Sequence, residues 1–288
     1  MALNTQIIQR EFNFERRHFD LIAGLLYRLA GISLAPHKIE MMYSRLTRRL
    51  RELKLADFDT YCDMLESESG ENEISFLVNA LTTNLTSFFR EQHHFEHLAA
   101  TVLPALRDHQ IHSTRPRLRI WSAGCSSGPE PYTMAMVICA TLGDLRRWDA
   151  RILATDIDTH MVATGQRGIY PADSLKTIPV DKRNRFTKRV QEPGCDPEIS
   201  MTDDLRRLIT FKPLNLLEQW PMRGPFDVIF CRNVLIYFDR AGRTEVISKF
   251  AELLQPGAFL YLGHSESLYG VSGSFDQVGA TIYRRSGR

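Results

Sequence analysis

The sequence predicts a mixed fold: an α-helical N-terminal domain over residues 1–90 and an α/β domain on a largely parallel sheet over residues 91–288. Apolar residues repeat at helical spacing through the N-terminal part, and after about Arg117 short apolar strands alternate with helices. Such alternation is typical of parallel sheets with right-handed crossovers. A long stretch at about 170–212 interrupts the alternation and predicts a small β insertion.

The N-terminal domain is predicted from helical stripes and the residues that bound them. One apolar stripe ends at Gly31, and Pro36 opens a second helix because its missing N–H is not needed in a first turn. The second helix has apolar residues on one face and three arginines on the opposite side: Arg45, Arg48 and Arg51. Further helices are predicted after the capping residue Asp57, over Glu71–Leu81 and over Glu91–Arg107.

Strands of the α/β domain are predicted where short apolar runs stop at turn or acidic residues. They are Leu118–Ala123, Arg151–Thr155, Phe226–Cys231, Ala258–Gly263 and Gly279–Tyr283. The intervening helices are expected over Tyr132–Leu142, from Asp156 through Met161 and over Ala241–Leu254. The loop between the last two strands is too short for a helical crossover, so these strands must pair antiparallel.

The predicted insertion contains two short β-like runs, Phe186–Gln191 and Ile209–Phe211, and a turn at Pro193-Gly194. Its central part is basic, with Lys182, Arg183, Arg185, Lys188 and Arg189. We expect this segment to form a small β subdomain with a basic surface.

Composition excludes several classes of protein. No apolar run reaches the about 18 residues that a membrane span needs, and the first residues lack the apolar core of a signal peptide. The five cysteines are scattered without a CxxC pair, which argues against a disulfide framework or a zinc site. We therefore expect a cytoplasmic protein that holds no metal and does not insert into a membrane.

A nucleoside-type ligand is indicated at the carboxyl ends of two predicted strands. The first strand breaks into the glycine-rich turn Gly124–Gly128, where backbone N–H groups can meet a ligand at a helix N-terminus. The second ends at Asp156, whose carboxylate can accept hydrogen bonds from both ribose hydroxyls. NAD and S-adenosylmethionine both satisfy this pattern. The missing GxGxxG, which prepares a pyrophosphate site, and the final antiparallel strand pair favour S-adenosylmethionine.

Five ordered motifs make the interpretation more specific. They are Thr83–Arg90 (TNLTSFFR), Trp121–Tyr132 (WSAGCSSGPEPY), Ala154–Asp158 (ATDID), Phe230–Phe238 (FCRNVLIYF) and Gly263–Ser267 (GHSES). Together they resemble the motifs of the chemotaxis receptor methyltransferases, the CheR family. One departure is Pro129, where members of that family often carry Glu, but the neighbouring Glu130 is in place. The resemblance implies a Rossmann-like methyltransferase sheet, S-adenosylmethionine as methyl donor and S-adenosylhomocysteine as product.

The resemblance also implies roles for individual residues. The cofactor-binding positions would be Asn84, Thr86, Arg90, Gly124, Glu130, Asp156, Asn215, Leu216, Arg232 and Asn233. Arg90 could pair with the methionyl carboxylate, Glu130 would lie near the amino-acid end of the donor, and Asn215 and Leu216 would border the adenine. Arg90 and Tyr237 are the candidate catalytic residues.

The implied substrate is the cytoplasmic domain of transmembrane chemotaxis receptors, whose glutamate γ-carboxylates would become methyl esters. The arginines Arg45, Arg48 and Arg51 would dock glutamate-rich receptor helices. The turn at Gly194 would lie beside a C-terminal receptor peptide that adds as a strand. We expect a monomer that binds no nucleic acid. Two alternatives stay open at this point: an RNA methyltransferase, because a basic helix also suits nucleic acid, and an S-adenosylmethionine-binding regulator without turnover.

Overall fold

The computed structural model describes residues 10–67, 70–82, 84–191 and 194–287. It divides the chain into two compact units, Met1–Thr82 and Thr83–Arg288. The division comes before the predicted domain boundary after residue 90, so the segment 84–90 belongs to the second unit. Thr83 and Pro193, which the sequence analysis placed in a motif and a turn, lie outside the described residues.

The N-terminal unit is helical, as predicted. Its helices are α1 Arg16–Ala30, α2 Ile39–Leu53, α3 Phe58–Glu66 and α4 Glu71–Leu81, with a 3₁₀ turn at Pro36–Lys38 before α2. Gly31 ends α1 in the left-handed conformation, with φ 66°. The Asp57 carboxylate accepts the N–H of Thr60 and so caps α3. The helices enclose a core that includes Phe19, Ile22, Leu26, Met42, Leu46 and Leu50.

The second unit is built on β-strands that form two sheets. Its described strands are β1 Arg117–Ala123, β2 Asp149–Asp156, β3 Ile169–Pro171, β4 Thr187–Val190, β5 Glu198–Met201, β6 Ile209–Pro213, β7 Phe226–Cys231, β8 Leu254–Leu262, β9 Phe275–Gly279 and β10 Ile282–Arg285. The main sheet has the order β6-β2-β1-β7-β8-β10-β9. Its first five strands in that order are parallel. Because the order reverses at β1, the carboxyl ends of β1, β2 and β7 frame a crevice in which such sheets bind ligands.

Helices precede and connect these strands. They are α5 His93–His97, α6 Leu103–His109, α7 Pro129–Leu142, α8 Thr159–Arg167, α9 Val180–Phe186, α10 Asp203–Arg206 and α11 Arg240–Leu253. The single helix predicted over Glu91–Arg107 is instead α5 and α6, joined by a π-helical turn at Leu98–Val102. Pro104 explains the interruption, because it cannot donate to the carbonyl four residues earlier and its ring crowds that carbonyl. Over the ranges that the structure describes, none of the helices has the length and apolar character needed to cross a membrane.

The insertion is a three-stranded antiparallel sheet in the order β3-β5-β4. The run predicted over Phe186–Gln191 contains β4, Thr187–Val190, although Phe186 itself ends α9. The assignment of Ile209–Phe211 to the insertion is wrong, because these residues begin β6, which pairs parallel with β2 at the edge of the main sheet. A short β run shows its own tendency to extend and carries no information about its partner strand.

The end of the main sheet is antiparallel, as expected. β10 pairs with β8, with Ile282 opposite Tyr261. The single final strand predicted over Gly279–Tyr283 is instead split by a hairpin turn: Gly279 ends β9, and Ile282 and Tyr283 begin β10. Thr281, with φ 54°, lies in that turn, and a residue at positive φ interrupts extended backbone.

Candidate functional site

The turn after β1 carries the backbone along the edge of the main sheet. Gly124 has φ 81° and Gly128 has φ 99°, a range that favours glycine. The N–H groups of Gly124 and Cys125 both donate to the carbonyl oxygen of Thr155 in β2, at 2.8 and 2.9 Å. A Cβ atom on Gly124 would lie 2.2 Å from Cγ2 of Val234. The turn is therefore packed between the ends of β2 and β7, with the Cys125 thiol buried beneath it.

Asp156 ends β2 and is 8% exposed. Its Oδ2 accepts the N–H of Ser126 at 2.7 Å, and its Oδ1 accepts the N–H of Asp158 at 2.9 Å. Burial raises the pKa of Asp156 to about 6, although both N–H groups act in the opposite direction. Because a carboxylate oxygen has two lone pairs, each oxygen can accept one further donor. The geometry suits the two hydroxyls of a ribose.

The segment 84–90 contacts this turn from the other side. The side-chain amide of Asn84 donates to Oδ2 of Asp158 at 2.7 Å, and the hydroxyl of Ser126 donates to the carbonyl oxygen of Asn84 at 3.1 Å. Asp158 also caps α8, because it accepts the N–H groups of His160 and Met161. Asn84 is thus tied to the same two chain segments that hold Asp156.

Arg90 and Thr86 lie in the same segment and are half-buried. One guanidinium N–H of Arg90 donates to the carbonyl oxygen of Leu85 at 2.9 Å, so the guanidinium is held close to its own segment. The carbonyl oxygen of Arg90 accepts a hydrogen bond from Arg232. The backbone and side chain of Arg90 are therefore both fixed at the edge of the site.

Arg232 follows β7 and lies between two buried carboxylates. Its guanidinium donates to Oε2 of Glu130 at 3.0 Å and lies 3.1 Å from Oε2 of Glu91. The hydroxyl of Ser122 donates to Oε1 of Glu130 at 2.7 Å. Burial raises the pKa of Glu130, whereas Arg232 acts to lower it. Glu130 also lies in the first turn of α7, where the helix dipole favours a negative charge.

The charges around the crevice sum to an acidic excess. Five carboxylates lie there with two guanidinium groups: Glu91, Glu130, Asp156, Asp158 and Glu266 against Arg90 and Arg232. An environment of this sign attracts a cationic ligand and disfavours a pyrophosphate. S-adenosylmethionine carries two positive charges, a sulfonium and an ammonium, and one negative charge, its carboxylate. The acidic surroundings therefore suit it better than they suit NAD.

The loops after β7 and β6 complete the edge. Asn233 has φ 61°, and its N–H donates to the Glu266 carboxylate at 2.8 Å. Tyr237 closes a short 3₁₀ turn after β7 and is half-buried. After β6, the side-chain oxygen of Asn215 accepts the N–H of Leu217 at 3.1 Å, and the Leu216 side chain is buried in the core. These residues follow the carboxyl ends of the parallel strands β7 and β6.

Comparison with known proteins identifies the chain. The family model described as "CheR methyltransferase, SAM binding domain" matches residues 84–284, and the model described as "CheR methyltransferase, all-alpha domain" matches residues 17–82. The chain belongs to the CheR methyltransferase family.

Curated relatives agree with this assignment. The chain is 42% identical to chemotaxis protein methyltransferase 2 of Pseudomonas aeruginosa, over 95% of each chain. It is also 42% identical to the chemotaxis protein methyltransferase of Escherichia coli K12, over 93% of this chain and 91% of that one. Among solved structures, the crystal structure of DszA carbon methyltransferase is 18% identical and aligns over 86% of this chain and 50% of that one, with a TM-score of 0.37.

CheR membership identifies the nucleoside-type ligand as S-adenosylmethionine. The match to the S-adenosylmethionine-binding model spans the turn after β1, Asp156, Glu130 and the segment after β7. An RNA methyltransferase or a regulator without turnover is not favoured, because the family and its relatives are described as chemotaxis methyltransferases.

The arginines of α2 in this CheR-family chain differ from one another. Arg48 is exposed and pairs with Glu52 at 3.0 Å, and Arg51 is exposed and pairs with Glu11. Arg45, predicted on the same side of α2, is held by the chain itself. Its guanidinium is half-buried and donates to the carbonyl oxygens of Ala80 and Thr82 at 3.1 and 2.7 Å. Arg45 thereby satisfies carbonyl groups at the end of α4, which have no partners within that helix.

Gly194 lies between β4 and β5 and has φ 83°. Among the residues that the structure describes, none apart from its chain neighbours lies within 4 Å of a Cβ atom built on it. The positive φ therefore explains the glycine here, and the described residues leave space beside it.

Strand β3 of the insertion contacts the turn after β1 directly, because the Tyr170 hydroxyl donates to the carbonyl oxygen of Ser127 at 2.7 Å.

Two buried glutamates in the site received no role from the sequence. Glu91 directly follows the TNLTSFFR motif and pairs with Arg232. Glu266 is the acid within the GHSES motif and is 5% exposed. One carboxylate follows a recognised motif and the other lies within one, which was the only indication that the sequence offered. Their importance depends on burial and on contacts distant in sequence.

Proposed function

We propose that this CheR-family methyltransferase transfers a methyl group to the γ-carboxylate of specific glutamates on the cytoplasmic domain of transmembrane chemotaxis receptors, giving glutamyl methyl esters. The observation that carries the proposal is the similarity, over more than 90% of the chain, to chemotaxis protein methyltransferases. We further propose that the enzyme acts as a cytoplasmic monomer without a metal.

The proposed chemistry needs no general base. S-adenosylmethionine supplies an electrophilic methyl group to the site. A glutamate carboxylate has an ordinary pKa of about 4.3 and is ionised at neutral pH, so an oxygen lone pair is already available. The protein must align this oxygen and remove its water shell. Arg90 and Tyr237, at the edge of the crevice, are the side chains that we assign to orienting the reacting groups.

The donor would be held by the residues around the crevice. Asp156 would accept the ribose hydroxyls through the lone pairs that Ser126 and Asp158 leave free. The acidic groups near Glu130 would face the ammonium end, and Arg90 would pair with the carboxylate. Gly124 would allow close approach of the backbone. The remaining proposed cofactor contacts are Asn84, Thr86, Asn215, Leu216, Arg232 and Asn233.

Receptor docking is assigned to α2. Arg48 and Arg51 are exposed, and their partners Glu52 and Glu11 are acids that a glutamate-rich helix could replace. Such contacts favour encounter and orientation more than affinity. Arg45 is not retained in this role, because its guanidinium already binds the end of α4.

A second contact is assigned to the insertion. Strand β4 lies at an edge of the three-stranded sheet, and two of its four residues are the exposed cations Lys188 and Arg189. An extended C-terminal receptor peptide could add there as a strand, with its carboxylate beside the basic surface. The open space beside Gly194 is compatible with this docking. Tethering would raise the local concentration of the enzyme at the receptor.

The test is transfer of label from tritiated S-adenosylmethionine to receptor-bearing membranes. We expect label on the receptor that mild base releases as methanol, since esters are base-labile. Receptors whose candidate glutamates are replaced by alanine serve as the control and should remain unlabelled. Base-stable label, or label on RNA in the membrane preparation, would contradict the proposed acceptor.

A further inference from the structure

Glu266 occupies an unusual position for a carboxylate. It lies in the loop after β8 and is 5% exposed. Four backbone N–H groups donate to it: those of Val234 and Ile236 to Oε1, at 2.8 and 3.3 Å, and those of Asn233 and Gly263 to Oε2, at 2.8 and 2.6 Å. Among the residues that the structure describes, Glu266 forms no ion pair. Its charge is therefore balanced by backbone dipoles.

The four donors belong to two loops. Asn233, Val234 and Ile236 follow β7, and Gly263 follows β8. The two strands are parallel neighbours, so their carboxyl ends open on the same side of the sheet. Glu266 therefore connects the two loops, and its hydrogen bonds to the β7 loop extend from Asn233 to Ile236.

The backbone at the start of the β7 loop is closely packed. Asn233 has a positive φ of 61°, a conformation that Asn adopts more readily than most residues with a side chain. A Cβ atom on Gly263 would lie 2.5 Å from Nδ2 and 2.7 Å from the backbone N of Asn233. Close packing on Gly263 and the hydrogen bond to Glu266 thus fix the backbone of Asn233 in this conformation.

The loop that Glu266 holds carries the site. Arg232 immediately precedes it, Asn233 is its first residue, and Tyr237 immediately follows Ile236. We propose that Glu266 is a positioning residue for methyl transfer, whose carboxylate fixes the 233–236 backbone and so sets where Arg232, Asn233 and Tyr237 lie. The proposal deepens the function proposed above and, as far as turnover is concerned, rests on it.

The test variant is Glu266→Gln, which keeps the size of the side chain. A glutamine presents one carbonyl oxygen, so two of the four N–H groups keep an acceptor, and its NH₂ group faces the other two. We expect kcat at saturating donor to fall at least tenfold, and the Kd for S-adenosylhomocysteine measured by calorimetry to rise several-fold. Glu266→Asp keeps the charge with a shorter reach, and we expect smaller losses of both kinds.

The matched control is Asp227→Asn. Asp227 is also buried and accepts a backbone N–H, that of Arg119 at 2.7 Å, but it lies at the amino end of β7, away from the crevice. We expect a lower melting temperature for this variant with kcat and donor affinity unchanged. If Glu266→Gln behaves like Asp227→Asn, with only a lower melting temperature, the positioning role is overturned. If Glu266→Gln does not fold, Glu266→Asp decides by the same comparison.

The calorimetric measurement separates this proposal from the proposed function. If wild-type enzyme does not esterify receptor glutamates, the proposed acceptor is wrong, yet weaker S-adenosylhomocysteine binding by Glu266→Gln still supports the positioning of Arg232 and Asn233. If wild-type enzyme esterifies receptors and both Glu266 variants match it in kcat and Kd, the proposed function stands and Glu266 has no positioning role.

Discussion

Replacing Asp156 by alanine should weaken cofactor binding strongly. The carboxylate already accepts the N–H groups of Ser126 and Asp158, and one lone pair on each oxygen remains for a ribose hydroxyl. A hydrogen bond to a charged group contributes about 1.5–3 kcal/mol. Two such bonds correspond to a loss of about 100-fold to 10,000-fold in affinity, at about 1.4 kcal/mol per factor of ten. The backbone N–H groups lose their acceptor in both free and bound protein, so they contribute little to the difference.

The pH dependence of binding provides an independent check. The pKa of Asp156 is raised to about 6 by burial. The ionised carboxylate is the better hydrogen-bond acceptor, so a bound nucleoside should lower this pKa. The affinity for S-adenosylhomocysteine should therefore be highest above pH 6 and fall as the pH drops through 6. The limiting slope is about tenfold per pH unit. In Asp156→Ala this dependence should disappear, and any that remains would report on Glu130, whose pKa burial also raises.

Calorimetric titration with S-adenosylhomocysteine between pH 5 and pH 8 measures both effects. Asp227→Ala is the matched control, because Asp227 is also a buried aspartate of this sheet but lies at the amino end of β7, away from the crevice. It should bind with the affinity and pH profile of the wild type at a lower melting temperature. Wild-type affinity in Asp156→Ala, or a pH profile that the substitution leaves unchanged, would refute the ribose assignment.

Three further predictions concern receptor contacts and the helical unit. The double variant Arg48→Glu/Arg51→Glu should slow receptor methylation and keep S-adenosylhomocysteine affinity, and the loss of rate should shrink as salt is added. The control Arg16→Glu, at another exposed, paired arginine, should methylate receptors at the normal rate. If the double variant methylates receptors as fast as Arg16→Glu does, α2 is an ordinary solvated face. Arg45→Ala should lower the free energy of unfolding by about 1–3 kcal/mol, because the carbonyl groups at the end of α4 lose their donor. The control Arg48→Ala should change the melting temperature little. If thermal melts show the larger loss for Arg48→Ala, the contacts of Arg45 do not contribute to stability. Gly194→Val should reduce methylation of receptors that carry their C-terminal peptide and leave methylation of truncated receptors unchanged. Gly194→Asn tests whether backbone conformation is the cause, because asparagine tolerates positive φ. If the valine variant binds the isolated peptide as well as the wild type does, the tether lies elsewhere.

Features encoded within a few residues could be predicted from the sequence. Gly31, Pro36 and Asp57 bound helices through local geometry, and the predicted helix Glu71–Leu81 has the same limits in the structure. Pairing between strands could not be predicted in the same way. The run at Ile209–Phe211 was correctly predicted as extended but assigned to the wrong sheet, because its partner β2 lies more than 50 residues earlier.

The site shows the same division. Gly124 and Asp156 could be proposed because each directly follows a predicted strand, and strand ends meet at one edge of a parallel sheet. Glu266 could not be given a role, since its four donors come from two loops that only the folded sheet brings together. The side of Arg45 was predicted from an ideal helical wheel. A long side chain can bend toward an unsatisfied helix end, and that preference is not visible in the spacing of residues.

The burial of Cys125 beneath the turn after β1 has a chemical consequence. A sulfonium methyl donor is an alkylating agent, and thiolates are the protein nucleophiles that react with such agents most readily. Burial, together with the nearby charges of Asp156 and Glu130, raises the pKa of the Cys125 thiol well above its usual value, and burial does the same for Cys231. The reactive thiolate is therefore nearly absent at neutral pH. The protein can place cysteines beside an electrophile without alkylating itself, and external thiol reagents should label the exposed Cys195 first.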